Sequence, residues 1–265
     1  MLLNHQKMYL LWCSRGGSQA ASELILDGSP VQPSSHVRDL GVQFDDDLSL
    51  KKHVDQLTGR CYSQLRRIRS CRRAMMHESA KTVVNSLVVS KVDCCNSLLA
   101  ACIQAQTDKL QRVLNCAARV ILGGSKYDNV TPLIRDDLHW LRVPEHIMFK
   151  LCLLAYKALH GLAPVYIKSL CVPVSSSIAR SLLRSASRGH LIVPCTRLEF
   201  SKRAFAFAGL TAWNSLPDII RSTESINTFK RLLKSFYFQF HTLAFHFQLQ
   251  HVIPLPCINL CNAPL

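Results

Sequence analysis

The chain has 265 residues, of which 48% are hydrophobic, and this content excludes a globally disordered protein because there is ample apolar material for a core. Lysine and arginine number 32 against 17 aspartates and glutamates, which gives a formal net charge of +15. This excess favours a polyanionic partner, nucleic acid before a membrane surface, although a basic surface without any role would have the same composition.

The spacing of the cysteines along the chain is not that of a disulfide framework or a metal site. None of the twelve is in a Cys-x-x-Cys pattern, and Cys94 and Cys95 are adjacent. Others, such as Cys61 and Cys116, fall on apolar stripes of predicted helices, where a thiol behaves as a small hydrophobic group. The N-terminus lacks the features of a signal peptide, and no window has the apolar length of a membrane span. We expect a cytoplasmic or nuclear protein that is not secreted and has no membrane partner.

Three short strands are predicted near the N-terminus. Apolar, β-favouring runs occupy residues 8–13, 23–27 and 37–44, and a glycine-containing turn comes after each of the first two. Gly41 interrupts the third run, and a glycine inside a strand is typical of a bulge or of a close approach by another backbone. Three strands are few for an independent sheet.

The apolar period changes to that of a helix from Leu50 onward. The pattern predicts one helix that begins there, a second from Ser79 to Cys102, and a third from Thr107 to Leu122. Gly123 would end the third helix in the left-handed conformation that glycine adopts easily. Short connections make the three helices antiparallel neighbours in a bundle.

A second helical unit is predicted after this bundle. Pro144 suits the first turn of a helix, which Gly161 would close. Residues 173–201 are rich in serine and arginine and predict a loop with one strand at 191–193. A last helix is predicted to begin near Ser225.

Together these elements predict a mainly α fold with a small N-terminal β segment, of the α+β class. A three-helix bundle would be followed by a helical C-terminal domain. The predicted units are residues 1–48, 49–125, 126–240 and 241–265.

A series of short motifs in a set order extends over residues 3–240. They are Leu3-Asn4-His5-Gln6-Lys7, Arg38-Asp39-Leu40-Gly41-Val42, Ser90-Lys91-Val92-Asp93-Cys94-Cys95-Asn96-Ser97-Leu98-Leu99, Asn115-Cys116-Ala117-Ala118-Arg119, Val130-Thr131-Pro132, Leu138-His139-Trp140-Leu141, Phe149-Lys150, Tyr156-Lys157-Ala158-Leu159, Arg203-Ala204-Phe205, Trp213-Asn214-Ser215-Leu216-Pro217 and Phe229-Lys230. In this order the chain resembles the C-terminal part of reverse transcriptases encoded by non-LTR (LINE-type) retrotransposons.

The resemblance implies a role for each predicted unit. Residues 1–48 would be a remnant of the polymerase palm, residues 49–125 a thumb-like bundle and residues 126–240 a C-terminal domain, while residues 241–265 match nothing in the family. Lys7 would be the lysine of a palm motif. The primer-grip-like strand pair would include Leu40, Gly41 and Val42. The chain departs from the family at Met8, where threonine is usual, and at Cys94, where an aromatic residue is common.

The family is an RNA-directed DNA polymerase, but the motifs with its metal-binding aspartates would lie before Met1. Polymerisation requires two Mg²⁺ ions held by carboxylates. Asp45-Asp46-Asp47 is a poor substitute, because it follows the primer-grip strand and because consecutive side chains of an extended segment point to opposite faces. We therefore assign no catalytic residue, expect a truncated, inactive relative, and expect Mg²⁺ only if the upstream palm were restored.

A zinc site near the C-terminus is an alternative that the sequence disfavours. His241, His246, His251, Cys257 and Cys261 could supply four ligands. The five-residue spacing of the histidines, however, scatters them around a helix. We predict no metal site and no cofactor.

The basic residues at 51–73 are the strongest functional signal. This stretch contains a single acid, Asp55, and eight basic residues: Lys51, Lys52, Arg60, Arg66, Arg67, Arg69, Arg72 and Arg73. In the family that the chain resembles, this helix is the first of the thumb, which packs beside the primer–template duplex. The pattern predicts non-specific contacts to the phosphates of RNA, an RNA–DNA hybrid or DNA. The alternatives are a helical protein-interaction module and a translated fossil without a selected function.

Overall fold

The fold is mainly α-helical with short strands at the N-terminus, as the sequence predicted. The computed structural model describes residues 9–13, 24–26, 29–125, 127–177 and 188–247. Lys7 therefore lies outside the described residues.

In the described part of the chain the strands form three separate two-stranded pairs. They are β1 (Leu10–Leu11), β2 (Leu24–Leu26), β3 (Ser29–Val31), β4 (Pro33–Ser34), β5 (His36–Asp39) and β6 (Val42–Asp45). β1 runs parallel to β4, whereas β2 with β3 and β5 with β6 are antiparallel hairpins.

The predicted single strand at 37–44 is wrong, because the chain reverses in its middle. Leu40 and Gly41 connect β5 to β6 with φ angles of 45° and 90°. Positive φ at both central residues is typical of a type I′ turn, whose backbone twist matches the twist of the two strands that it connects. Gly41 therefore makes a turn and not a bulge.

Helix α1 (Lys51–Cys71) confirms the first predicted helix and its apolar face. Val54, Cys61, Leu65 and Ile68 are buried along one side. They pack mainly against α4 (Gln104–Leu122), which ends at Gly123 with φ 70°, as predicted.

The second predicted helix ends earlier than its apolar pattern indicated. α2 (His77–Val84), a π-helical segment (Asn85–Val89) and α3 (Ser90–Asp93) follow one another without a break. At Cys94 the backbone becomes extended, and a 3₁₀ turn occupies Asn96–Leu99. The Asn96 side chain donates to the Asp93 carboxylate at 3.1 Å, a local bond that competes with continuation of the helix.

The C-terminal part is organised around one central helix, α6. The helices here are α5 (Val130–Pro132), α6 (Val143–Leu159), α7 (Val165–Lys168), α8 (Phe205–Asn214), α9 (Asp218–Arg221) and α10 (Ile226–Phe247). α6 packs against α4, α8 and α10. Pro144 lies in its first turn and the last helix begins next to Ser225, as predicted. α10 continues past the predicted boundary at residue 240, and residues 248–265 lie outside the described part.

Tryptophan and asparagine side chains of α8 hold the segment predicted as a strand at 191–193. Leu191 bridges to Pro173, and both its N–H and its carbonyl bond to the Asn214 amide at 2.8 Å. The Trp213 indole donates to the Gly189 carbonyl at 3.1 Å. Two adjacent residues of α8, Trp213 and Asn214, thus hold a segment that lies more than twenty residues earlier in the chain.

A continuous hydrophobic core crosses the predicted boundary at residues 125–126. Polar contacts cross it too. The Lys150 ammonium lies 2.6 Å from the Asp93 carboxylate, and the Val143 N–H donates to the Gln111 side chain at 2.9 Å. None of the helices in the described part of the chain combines the length and apolar character needed to cross a bilayer.

Candidate nucleic-acid interface

The exposed sides of α1 carry cations in its first turn and again from Arg60 onward. Because α1 buries one side against α4, its cationic side chains are left on the other sides. Of the eight basic residues that the sequence singled out, seven are exposed: Lys51, Lys52, Arg60, Arg66, Arg67, Arg69 and Arg73. Lys52, Arg66 and Arg67 lie opposite the buried side. At 1.5 Å per residue, Lys52 and Arg67 are about 22 Å apart along the helix axis, which is about the axial rise of six to seven nucleotides in one strand of a duplex.

Arg72 is different, and its assignment as a nucleic-acid contact is not supported by its position. It is half-buried, and its guanidinium donates to the carbonyl oxygens of Val120 and Ile121 at the end of α4 and to that of Met75. Carbonyls in the last turn of a helix lack intrahelical partners, so those of α4 are free to accept. Arg72 therefore serves the fold.

A cation from a neighbouring helix pairs with Asp55, the single acid of the basic stretch. Asp55 forms an ion pair with Lys109 of α4. Both side chains remain partly exposed, so the pair contributes little stability. It nevertheless offsets the negative charge of Asp55 next to the arginine-rich face.

A basic cleft lies where the β5–β6 hairpin meets α1 and α3. Its lining residues are Arg38, Leu40, Gly41, Val42, Gln43, His53, Gln56, Leu57, Arg60, Lys91 and Cys94. Three of these are cations from three different elements, and among the described residues that line the cleft there is no carboxylate. The residues of the primer-grip-like motif, Leu40, Gly41 and Val42, form its hairpin wall, and Leu40 at the tip is 90% exposed.

His53 also lines the cleft, and its surroundings lower its pKa. Burial lowers the pKa of His53, the Arg60 guanidinium lowers it further, and Asp45 opposes them. The Gln43 N–H points to its Nδ1 atom at 3.4 Å. A neutral imidazole can accept from Gln43 and leave its other nitrogen to donate. The cleft thus owes its positive charge to Arg38, Arg60 and Lys91.

The acidic triplet that precedes α1 makes local contacts. The Asp45 carboxylate accepts from the Ser49 hydroxyl at 2.5 Å and from the Leu50 N–H at 2.8 Å. The Asp47 carboxylate accepts from the Ser49 N–H at 3.0 Å. Leu50 itself has no capping side chain, so Asp45 supplies the acceptor that the helix start needs.

Sequence reasoning missed Arg38 and Lys91 as members of the site. Both lie within quoted motifs, Arg38 at the start of the hairpin motif and Lys91 in the motif that begins at Ser90. Their place in these motifs was the signal that could have identified them. The spacing of residues 38, 60 and 91 along the chain does not indicate that the three side chains line one cleft. Packing of the hairpin on α1 brings them to one cleft.

The zinc ligands considered near the C-terminus cannot be placed. His251, Cys257 and Cys261 lie outside the described residues, and the side chains of His241 and His246 are not described. Within the part of the chain that the structure describes, no three His, Cys, Asp or Glu side chains come together as metal ligands would.

Comparison with protein-family profiles, with curated proteins and with solved structures finds no match to this chain. The site is therefore interpreted from its own geometry and charge.

Proposed function

We propose that this chain is a reverse-transcriptase-like protein that binds the phosphate backbone of nucleic acids without reading sequence. The single observation that carries the proposal is the basic surface made by the exposed cations of α1 and the adjoining cleft. Arginine and lysine on one face of a helix are the electrostatic footprint of a nucleic-acid-binding protein.

The geometry suits an extended polyanion. Lys52, Arg60, Arg66 and Arg67 follow one another along α1, so a backbone laid beside the helix would meet successive cations. Contacts of this kind gain free energy mainly through release of counterions and are independent of base sequence. We expect weak binding, with a dissociation constant on the order of micromolar at physiological salt.

We also propose that the chain by itself does not polymerise. The carboxylates of Asp45 and Asp47 are engaged by Ser49 and Leu50 in the turn before α1. A primer-extension assay with Mg²⁺ or Mn²⁺ should give no product above a control without protein. Extension that disappears in Asp46→Ala would contradict this part of the proposal.

The binding test is a fluorescence-anisotropy titration of an RNA–DNA hybrid at several salt concentrations. In Arg66→Ala/Arg67→Ala the affinity should fall to a similar degree for every duplex sequence. The slope of log affinity against log salt should fall by about one to two, since each lost phosphate contact removes about 0.7–0.9.

The matched control is Lys230→Ala/Arg231→Ala. These are also two adjacent exposed cations on a helix, α10, which packs on α6. This variant has the same net charge as the α1 variant but keeps the α1 surface. It should bind like the parent. Equal losses in both variants would mean that net charge alone attracts nucleic acid and that α1 is not the interface.

A second candidate function is a protein-interaction module. It is favoured by an apolar group at α7 and in the connection that precedes it, where Leu162, Val165 and Tyr166 are 60%, 81% and 70% exposed. If the α1 variant bound the hybrid with the parent's affinity and salt slope, this candidate would be the better interpretation.

A further inference from the structure

Two neighbouring thiols lie together where α3 ends. The Sγ atoms of Cys94 and Cys95 are 3.8 Å apart, and both side chains are exposed. Consecutive side chains of an extended segment point to opposite sides, so adjacency in sequence does not by itself bring two sulfur atoms together. The turn that follows α3 brings the two sulfur atoms together.

The backbone of this turn has an unusual conformation. Cys95 has φ 54° and ψ 20°, in the left-handed region that non-glycine residues seldom adopt. The contacts on either side hold it there. The Asn96 side chain is buried and donates to Asp93, and the Cys95 carbonyl accepts from the Leu98 N–H at 3.1 Å.

The surroundings distinguish the two sulfur atoms. Cys94 lines the basic cleft with Arg60 and Lys91. Partial burial raises the pKa of Cys95, and its hydrogen bond with Cys94 raises it further. Cys94 is the thiol that lines the cleft, so we assign it as the attacking sulfur.

We propose that Cys94 and Cys95 form a reversible dithiol modification site, which a small-molecule disulfide such as oxidised glutathione converts to a vicinal disulfide. The Cys94 thiolate attacks one sulfur of the reagent and releases one glutathione thiolate, which takes up a proton. The Cys95 thiolate then attacks the Cys94 sulfur of the mixed disulfide and releases the second glutathione. The two protein thiols lose two electrons and two protons in total, and the reagent is reduced to two thiols.

Strain should make this bond easy to reverse. The Cα atoms of adjacent residues are about 3.8 Å apart across a trans peptide, below the usual disulfide range of about 4.4–6.8 Å. Strained and exposed disulfides are the labile ones. Asp93, the residue before Cys94, joins α3 to α6 through its ion pair with Lys150. Formation of the disulfide would therefore change the backbone next to this ion pair.

The test is mass spectrometry of the tryptic peptide from Val92 to Lys109 after treatment with oxidised glutathione and alkylation of remaining thiols. The peptide contains a third cysteine, Cys102, which is half-buried. The wild-type peptide should lose two hydrogen atoms and regain them with dithiothreitol. Cys102→Ser should keep this change. Cys94→Ser and Cys95→Ser should lose it and carry a glutathione adduct instead.

A second measurement uses phenylarsine oxide, which binds two close thiols at once. Its affinity for the Cys102→Ser protein should exceed that for Cys94→Ser or Cys95→Ser by roughly 100-fold, because the second thiol binds intramolecularly. Persistence of the hydrogen loss in Cys94→Ser or Cys95→Ser, or equal arsenical affinity in all three variants, would overturn the proposal. Neither readout involves nucleic acid, so the result is independent of the proposed function.

Discussion

The guanidinium of Arg72 caps helix α4 through the carbonyl oxygen of Ile121, to which its Nη2 atom donates at 2.6 Å. Its Nε atom donates to Val120 at 2.9 Å and its Nη1 atom to Met75 at 2.8 Å. A cation at the C-terminus of a helix also interacts favourably with the helix dipole. One side chain at the end of α1 thereby ties α1 to α4 and to the turn that leads into α2.

Replacing Arg72 by alanine should destabilise the fold. Hydrogen bonds that involve charged groups contribute about 1.5–3 kcal/mol, so we expect a loss of about 2 kcal/mol in the free energy of unfolding. For a domain of this size the melting temperature should fall by about 4–8 °C. The neighbour Arg73 is exposed, and Arg73→Ala should change stability by less than about 0.5 kcal/mol. Urea and thermal unfolding measure both. Equal stability of the two variants would contradict the capping role.

The cap at the start of α1 should make stability depend on pH. Burial by itself would raise the pKa of Asp45, but hydrogen bonds from the Ser49 hydroxyl and the Leu50 N–H outweigh it and lower the pKa. A carboxyl whose folded-state pKa is depressed stabilises the fold above its unfolded pKa of about 3.9, and this stabilisation is lost as pH falls through the folded value.

The test compares the parent with Asp45→Asn. At pH 6 the variant should be less stable by about 1 kcal/mol, the usual contribution of a helix cap. The difference should begin to shrink below about pH 4, where the carboxyl of the unfolded chain takes up a proton, and should be lost as pH falls through the lowered pKa of the folded state. Urea titrations of both proteins across this pH range measure the difference. A difference that stays constant down to the lowest pH would contradict the role of the Asp45 charge.

Two helical glycines should respond in opposite ways to alanine. Gly59 lies inside α1 with nothing within 4 Å of an added Cβ, so Gly59→Ala should raise the free energy of unfolding by about 1 kcal/mol. In α8, a Cβ on Gly209 would lie within 3 Å of the Phe205 ring. Gly209→Ala should therefore destabilise, by about 1–3 kcal/mol. Thermal unfolding distinguishes the two, and a stable Gly209→Ala would show that the ring can move aside.

The Asn214 amide should be required for docking of the segment at Leu191. In Asn214→Ala the buried N–H and carbonyl of Leu191 lose their partner, and each such loss costs about 1–3 kcal/mol. We expect a loss of at least about 2 kcal/mol and faster amide exchange at Leu191. Ser215→Ala, at the exposed next residue, is the control and should stay within about 0.5 kcal/mol of the parent. Unchanged exchange at Leu191 would contradict the docking role.

The sequence by itself determined the features that depend on neighbours along the chain. The apolar period places the buried face of α1 at Val54, Cys61, Leu65 and Ile68, because residues three and four apart share a side of a helix. Gly123 ends α4 because glycine adopts the left-handed conformation without strain. The exposed cations of α1 have the same origin, since positions outside the apolar stripe face solvent.

Only the tertiary structure decided what depends on packing between elements. Arg72 belongs to the same basic run as Arg73, yet it is turned onto α4 because unpaired carbonyls there lie within reach of its guanidinium. Arg38, Arg60 and Lys91 meet at one cleft because the hairpin packs beside α1 and α3. These contacts join residues that are tens of positions apart in the chain. The local hydrophobic period and the propensities of single residues therefore do not predict them.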